Sequence, residues 1–203
     1  MQHIMIDLET FGLKPNSVIV ALGATLFDPF TTKTIDDIKV EHKFYRNIRA
    51  ESCIDYGMEL DMGTVYWWAK QEKAAGAMIN HPKPINLDTA LEHFSGFVYD
   101  HVIDVDAVRI WSHATFDYVI LQNAYEKVGC EWPFKFWNAC DIRTLEYVTG
   151  MGKPEFEGVP HFALDDACNQ AVHVSRMLRQ LDDYKDKAKW VYDNSVKADK
   201  HGD

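Results

Sequence analysis

The sequence predicts an α/β domain: a mixed sheet with helices packed on it. Three observations carry that expectation. Residues 3–8 make a short apolar strand pattern, and it closes in two acids, Asp7 and Glu9. Residues 17–27 (SVIVALGATLF) are nearly all apolar and rich in β-branched side chains, the pattern of a strand buried on both faces. Further on, strand-like and helix-like stretches alternate, and strands followed by such alternation give a mixed sheet with helices on it.

Each element has its own signal. Gly12, Pro15 and Asn16 turn the chain after the first strand, and residues 28–33 turn it after the second. A third strand is expected around 40–47, with the mixed polarity of a sheet edge. Residues 50–85 read as irregular with short helices; Thr64 is placed to cap 65–71, and the run His81-Pro82-Lys83-Pro84 breaks the pattern. Leu91, Phe94, Phe97 and Val98 recur at helical spacing within 88–102. A fourth strand follows at 107–111, then a helix at 118–128 stopped by Gly129. A short strand near 135–137 precedes a helix over 142–148. Gly150, Gly152, Pro154, Gly158 and Pro160 mark a mobile loop, and a long helix runs over 163–181 into a charged, helical tail at 183–203.

With 203 residues and 47% hydrophobic side chains, the chain can bury one full core. Its net charge of −10 rules out a global basic field for nucleic acid, so any such substrate has to be gripped locally. The Lys and Arg residues are dispersed, and Lys185, Lys187, Lys189 and Lys197 belong to a solvated helix face. Cys53, Cys130, Cys140 and Cys168 have neither zinc-knuckle nor redox spacing, which fits reduced thiols and a cytoplasmic setting in a bacterial or phage-infected cell. No signal-peptide pattern opens the chain, and no apolar run approaches the ~20 residues of a membrane span.

Asp7 and Glu9 lie two apart in a strand, so their carboxylates share one face at the end of a buried element. Buried carboxylates need a partner, a proton or a metal. Asp117 opens a helix just after a strand, a position that suits either a helix N-terminus or a site. His161 and Asp166 are five apart, about 140° beyond a full helical turn, so His161 belongs in the loop before the helix. Periodicity does not choose between Asp165 and Asp166, since both lie off the apolar stripe. Phe11 suits core packing or base stacking; of the adjacent Trp67 and Trp68, one is expected in the core and one at a cleft. Asp141 and Arg143 are expected as a buried pair.

These residues carry a resemblance. Asp7-Leu8-Glu9-Thr10, then Phe116-Asp117, then His161-x-Ala163-Leu164-x-Asp166-Ala167 resemble the three motifs of the DEDDh subgroup of the DEDD (DnaQ-like) 3′–5′ exonuclease superfamily. The likeness spans residues 7–167 in the right order. Thr64-Val65-x-Trp67-Trp68 and Phe136-Trp137-Asn138-x-x-Asp141-Ile142-Arg143-Thr144 are similar to a branch with bacteriophage exonuclease A and a mycobacterial 3′–5′ exoribonuclease. One departure is visible: His113 stands where many members have Asn.

The resemblance implies a ribonuclease H-like, mixed five-stranded sheet with flanking helices, and an exonuclease domain over 1–182. It selects Asp166 over Asp165. It implies two divalent ions, Mg²⁺ or Mn²⁺, with Asp7 as the bridging ligand, Glu9 and Asp166 on one ion and Asp117 near the other. His161 would be the general base, and Thr10, Phe11 and His113 would meet substrate. The implied partner is the 3′ end of a single strand, with DNA slightly favoured through the phage likeness, and a homodimer is within the family's habit. Two other classes compete. One is a catalytically silent binding module on the same fold, which has no need of four acids and a histidine. The other is a hydrolase of small phosphoesters, which the motif order and the aromatic surroundings disfavour.

Overall fold

The structure is a computed structural model that describes residues 2–71, 76, 83–113 and 115–199, the side chains of 188 and 190–199 excepted. Five strands form one sheet in the order β3-β2-β1-β4-β5. They are β1 (His3–Thr10), β2 (Ile19–Phe27), β3 (Lys43–Asn47), β4 (Arg109–Ser112) and β5 (Ala139–Asp141). β1, β2 and β3 form an antiparallel meander, whereas β4 and β5 run parallel to β1. The sheet is therefore mixed, with β1 at its centre and β3 on an edge.

Among the described residues six α-helices accompany the sheet: α1 (Ala50–Asp55), α2 (Met62–Trp68), α3 (Leu87–His101), α4 (Asp117–Val128), α5 (Ile142–Thr149) and α6 (Ala163–Asp199). The strand alternation of β1 divides the interior in two. Ile4, Ile6 and Leu8 point into one core with Phe94 of α3 and Leu121 of α4. Met5 points the other way, into a second core with Ile142 of α5 and Ala167, Ala171 and Val174 of α6. Asp7 and Glu9 fall on that second face by the same period of two. The small residues Ala163, Ala167, Cys168 and Ala171 on the buried side of α6 bring its axis close to the sheet.

Several boundaries differ from the sequence reading. Val40–His42 is a 3₁₀ turn, so the third strand begins at Lys43; Val40 and Glu41 are exposed and His42 is half-buried, so the turn buries nothing before Phe44. Phe136–Asn138 is also a 3₁₀ turn, closed by Asn138 Oδ1 accepting from the Lys135 N–H at 2.6 Å, and the fifth strand follows at 139–141 instead of 135–137. Asp61, not Thr64, caps α2: its carboxylate accepts from the Thr64 N–H at 2.7 Å. Gly129 ends α4 in the left-handed conformation, as its lack of a side chain permits. α6 continues without a break to Asp199. In the run expected to break the pattern at 81–84, His81 and Pro82 lie outside the described residues, as do 200–203 at the end of the tail. The four cysteines are free thiols. Among the described residues no helix is long and apolar enough to cross a membrane.

Candidate active site

The acids meet at the end of β1, where the sheet, α4 and α6 converge. Ligand-capable oxygens of Asp7, Glu9 and Asp166 lie within 4.8 Å of one another. α6 delivers Asp166 from its first turn. The close seating of that turn depends on Gly23, directly across from Asp7 in the β1–β2 pairing: a Cβ at Gly23 would overlap the main chain of Ala163. Asp165 points elsewhere, accepting from the Val159 N–H at 2.9 Å. The geometry thus separates two neighbours that helical periodicity leaves equivalent.

Asp117 stands at the first position of α4 and is 1% exposed. Its carboxylate accepts the Leu8 N–H from β1 and the His113 N–H from the end of β4, both at 3.1 Å. His113 also places its Nδ1 3.5 Å from the same carboxylate, so it orients Asp117 while lining the cleft. Asp7 accepts from Gln170 Nε2 at 2.7 Å. A register shift between Glu9 and Thr10 ends the regular pairing of β1 and re-aims the chain there.

The electrostatics are those of crowded acids. Burial, then the charge of Asp117, Glu9 and Asp166, drives the Asp7 carboxyl well above the usual carboxylate range. Burial and the neighbouring Asp166 and Asp117 push Glu9 up to about 8. Burial raises Asp166 to about 6, against a downward pull from His161. Among the described residues no Lys or Arg forms an ion pair with these three acids. Asp166 Oδ2 is buried and lacks a hydrogen-bond partner. Converging hard oxygen donors, mutual repulsion and an orphaned carboxylate oxygen together fit a divalent cation.

His161 is exposed at the rim and takes a left-handed backbone conformation, φ 64°, uncommon for a residue with a side chain. Its ring stands edge-on to Trp67 and Trp68, with centroids 5.2 and 5.7 Å away. Next to it, Phe162 packs on Tyr45 of β3 at 4.4 Å. The loop before His161 is held at two points. Asn169 binds both the N–H and the C=O of Glu157, and Asp165 holds Val159.

The cleft has two arms that share Leu8, Glu9, Leu13, Phe116 and His161. One arm, about 480 Å³, is walled by Thr10, Thr64, Trp67 and Trp68. The other, about 500 Å³, holds the acids and extends past Arg143, Lys153, Phe156 and His173. Trp68 is buried and donates its Nε1–H to the Thr10 carbonyl at 3.0 Å, whereas Trp67 remains 44% exposed. Phe11 is partly buried against the first core and lies outside the lining of both arms. Asp141 caps α5 through the Arg143 and Thr144 N–H groups, and Arg143 itself is exposed at the cleft, so the pair is not a buried one.

Gln170, Asn169, Glu146 and His173 escaped the sequence reading. A signal existed for two of them: Gln170 and His173 follow Asp166 by four and seven residues, hence share its helix face. Asn169 and Glu146 act through a loop and a second helix, which spacing does not reveal.

The fold and this acidic cleft define a nuclease of the ribonuclease H-like class. Residues 2–178 match the family described as the 3′-5′ exoribonuclease Rv2179c-like domain, and the chain belongs to that family. No curated protein matches it. Among solved structures, the chain is similar to the nuclease domain of 3′hExo, a DEDDh family member bound to rAMP. Identity is 15% and TM-score 0.56, over 88% of this chain and 92% of that one. It is also similar to E. coli exonuclease I in complex with a dT13 oligonucleotide, at 13% identity and TM-score 0.61, over 90% of this chain and 43% of that one.

Proposed function

We propose that this nuclease is a metal-dependent 3′–5′ exonuclease that hydrolyses the last phosphodiester of a single strand and releases nucleoside 5′-monophosphates. The observation that carries the reading is the convergence of Asp7, Glu9 and Asp166 beside the anchored Asp117, in a cleft with His161 at its rim. Asp7 would be shared between two Mg²⁺ or Mn²⁺ ions, with Glu9 and Asp166 on one and Asp117 near the other. Such ions, when bound, stabilise charge on the attacking and leaving oxygens.

The chain's own residues supply the rest. His161 accepts a proton from the attacking water, whose oxygen forms the new bond to phosphorus. The bond from phosphorus to the 3′ oxygen breaks, and that oxygen takes up a proton from solvent. The Trp67 arm, contiguous with Glu9 and Thr10, provides an aromatic wall for one nucleoside. Thr10 and His113 line the cleft and are the substrate contacts in this reading; Phe11 contributes through its main chain, which ties β1 to Val18 and Asp61. The family description favours RNA over the DNA suggested by the phage likeness.

The test is product analysis on a 5′-labelled single strand of RNA, and of DNA, with Mg²⁺ or Mn²⁺. The expected outcome is a ladder shortening from the 3′ end with nucleoside 5′-monophosphates in solution. Internal cleavage, or shortening from the 5′ end, would contradict it.

A further inference from the structure

The acids and His161 leave one part of the cleft unused. In the arm beyond Gln170, four polar atoms are buried without a hydrogen bond: Glu146 Oε1, Gln170 Oε1 and both ring nitrogens of His173. His173 is 3% exposed. Its Nε2 stands 3.3 Å from Glu146 Oε1, so these two atoms face each other as a pair, and Gln170 Oε1 and His173 Nδ1 are the atoms left with no partner. Orphaned buried polar atoms are scarce in folded proteins because each forfeits its bond to water. Two of them in one wall, beside the Glu146–His173 pair, make a local demand for a polar ligand. All three residues line the same cavity as Asp7 and Asp166. Gln170 connects the two regions: its Nε2 is committed to Asp7, which leaves its Oε1 to bind something else.

We infer that Glu146, Gln170 and His173 form a sugar subsite that binds the 2′-hydroxyl of the nucleoside on that side of the scissile phosphate. The inference rests on the exonuclease reading and assigns, for the RNA that the family description favours, the side chains that read the ribose. A hydroxyl both donates and accepts. The wall offers two oxygen acceptors, from Glu146 and Gln170, and an imidazole that donates from one nitrogen and accepts at the other. A phosphate would meet the Glu146 carboxylate and the Gln170 carbonyl oxygen and be repelled. A base finds its stacking surface in the aromatic arm instead. With the scissile phosphate at the acids, one nucleoside lies on each side of it. Gln170 and His173 are within about two helical turns of Asp166, in reach of the adjoining sugar. Lys153 Nζ lies 3.9 Å from Glu146 Oε1 and offsets the charge at the mouth. Deoxyribose has no 2′-hydroxyl for this wall, so a DNA strand leaves Gln170 Oε1 and His173 Nδ1 unpaired.

The experiment uses single-stranded oligonucleotides of one sequence: all-ribose, all-deoxyribose, and all-ribose with one 2′-deoxy position at the last or the penultimate nucleotide. Steady-state kcat/KM is measured for the wild type, Glu146→Ala and His173→Asn. The wild type is expected to lose about 10-fold at one of the two single-deoxy positions, the scale of one hydrogen bond. Both variants are expected to lose a similar factor on all-ribose substrate and to cleave it no faster than the single-deoxy strand. Equal wild-type rates on all four strands would overturn the subsite, and need no variant to fold. A variant that keeps the full ribose preference would overturn it too. No cleavage of any strand would instead overturn the exonuclease reading, and the subsite with it.

Discussion

Gly23 lies directly across from Asp7 in the β1–β2 ladder, and its missing side chain lets the first turn of α6 rest on the sheet. A Cβ at this position would meet the Ala163 carbonyl and the Leu164 nitrogen, main-chain atoms that cannot rotate aside. Gly23→Ala should therefore push the start of α6 outward and carry Asp166 away from Asp7 and Glu9. Overpacking of this kind costs about 1–3 kcal/mol. The expected result is a lower melting temperature with a disproportionate loss of Mn²⁺ affinity by calorimetry. Unchanged melting and unchanged affinity would show that the close approach does not set the site.

Stability should depend on pH in a specific window. Glu9 is held up at about 8 and Asp7 is also raised, whereas unfolded carboxylates titrate near ~4. The folded state then keeps protons that the unfolded chain has released, so stability is lost as pH rises through the folded values. His3, His42 and His173 are lowered by burial and act in the opposite sense, but only below about 6.5. Between pH 7 and 9 the acids dominate. In chelator, the melting temperature should fall across that range, by roughly 2–4 °C for each kcal/mol lost. Added Mn²⁺ should restore more stability at pH 9 than at pH 7. A metal-free melting temperature that rises from pH 7 to 9 contradicts this reading.

Two acids of the site should respond to mutation with opposite signs. The Asp7 carboxylate is opposed by burial and by three neighbouring acids, so Asp7→Asn should raise metal-free stability while keeping an oxygen for Gln170. Asp117 instead satisfies the N–H groups of Leu8 and His113. Asp117→Ala should cost about 1–3 kcal/mol for each donor left unpaired. Urea denaturation of both variants in chelator reads the difference, and a shift in the same direction for both would refute the assignment.

The Gly- and Pro-rich loop, expected to be mobile, is anchored at Glu157 and Val159. Asn169 holds Glu157 from both sides, so Asn169→Ala should release the segment leading to His161. Limited proteolysis within 153–160 is expected to accelerate severalfold, and kcat to fall as His161 loses its place against Trp67. Proteolysis at the wild-type rate would mean that the clamp does not govern the loop.

What could be read in the sequence was what strand and helix periods encode. The period of two on β1 put Asp7 and Glu9 on one face, and the face is the one that α6 covers. Burial of 17–27 on both sides followed from its unbroken apolar run, and β2 is buried along its whole length. The misplaced starts of β3 and β5 have separate causes: the 3₁₀ turn at 40–42 leaves Val40 exposed and buries nothing, whereas the one at 136–138 is closed by the Asn138 side chain. Spacing also could not disclose the role of Gly23, because close approach depends on an element 140 residues later in the chain.

The central claim is that Asp7 and His161 serve one hydrolytic centre at a 3′ end. Single-turnover shortening of a 5′-labelled RNA strand in Mn²⁺, for the wild type, Asp7→Ala and His161→Ala, tests it most directly. The account predicts a wild-type ladder and, for each variant, a rate lower by at least about 100-fold, the scale of a lost general base. A ladder of wild-type rate in either variant would contradict it.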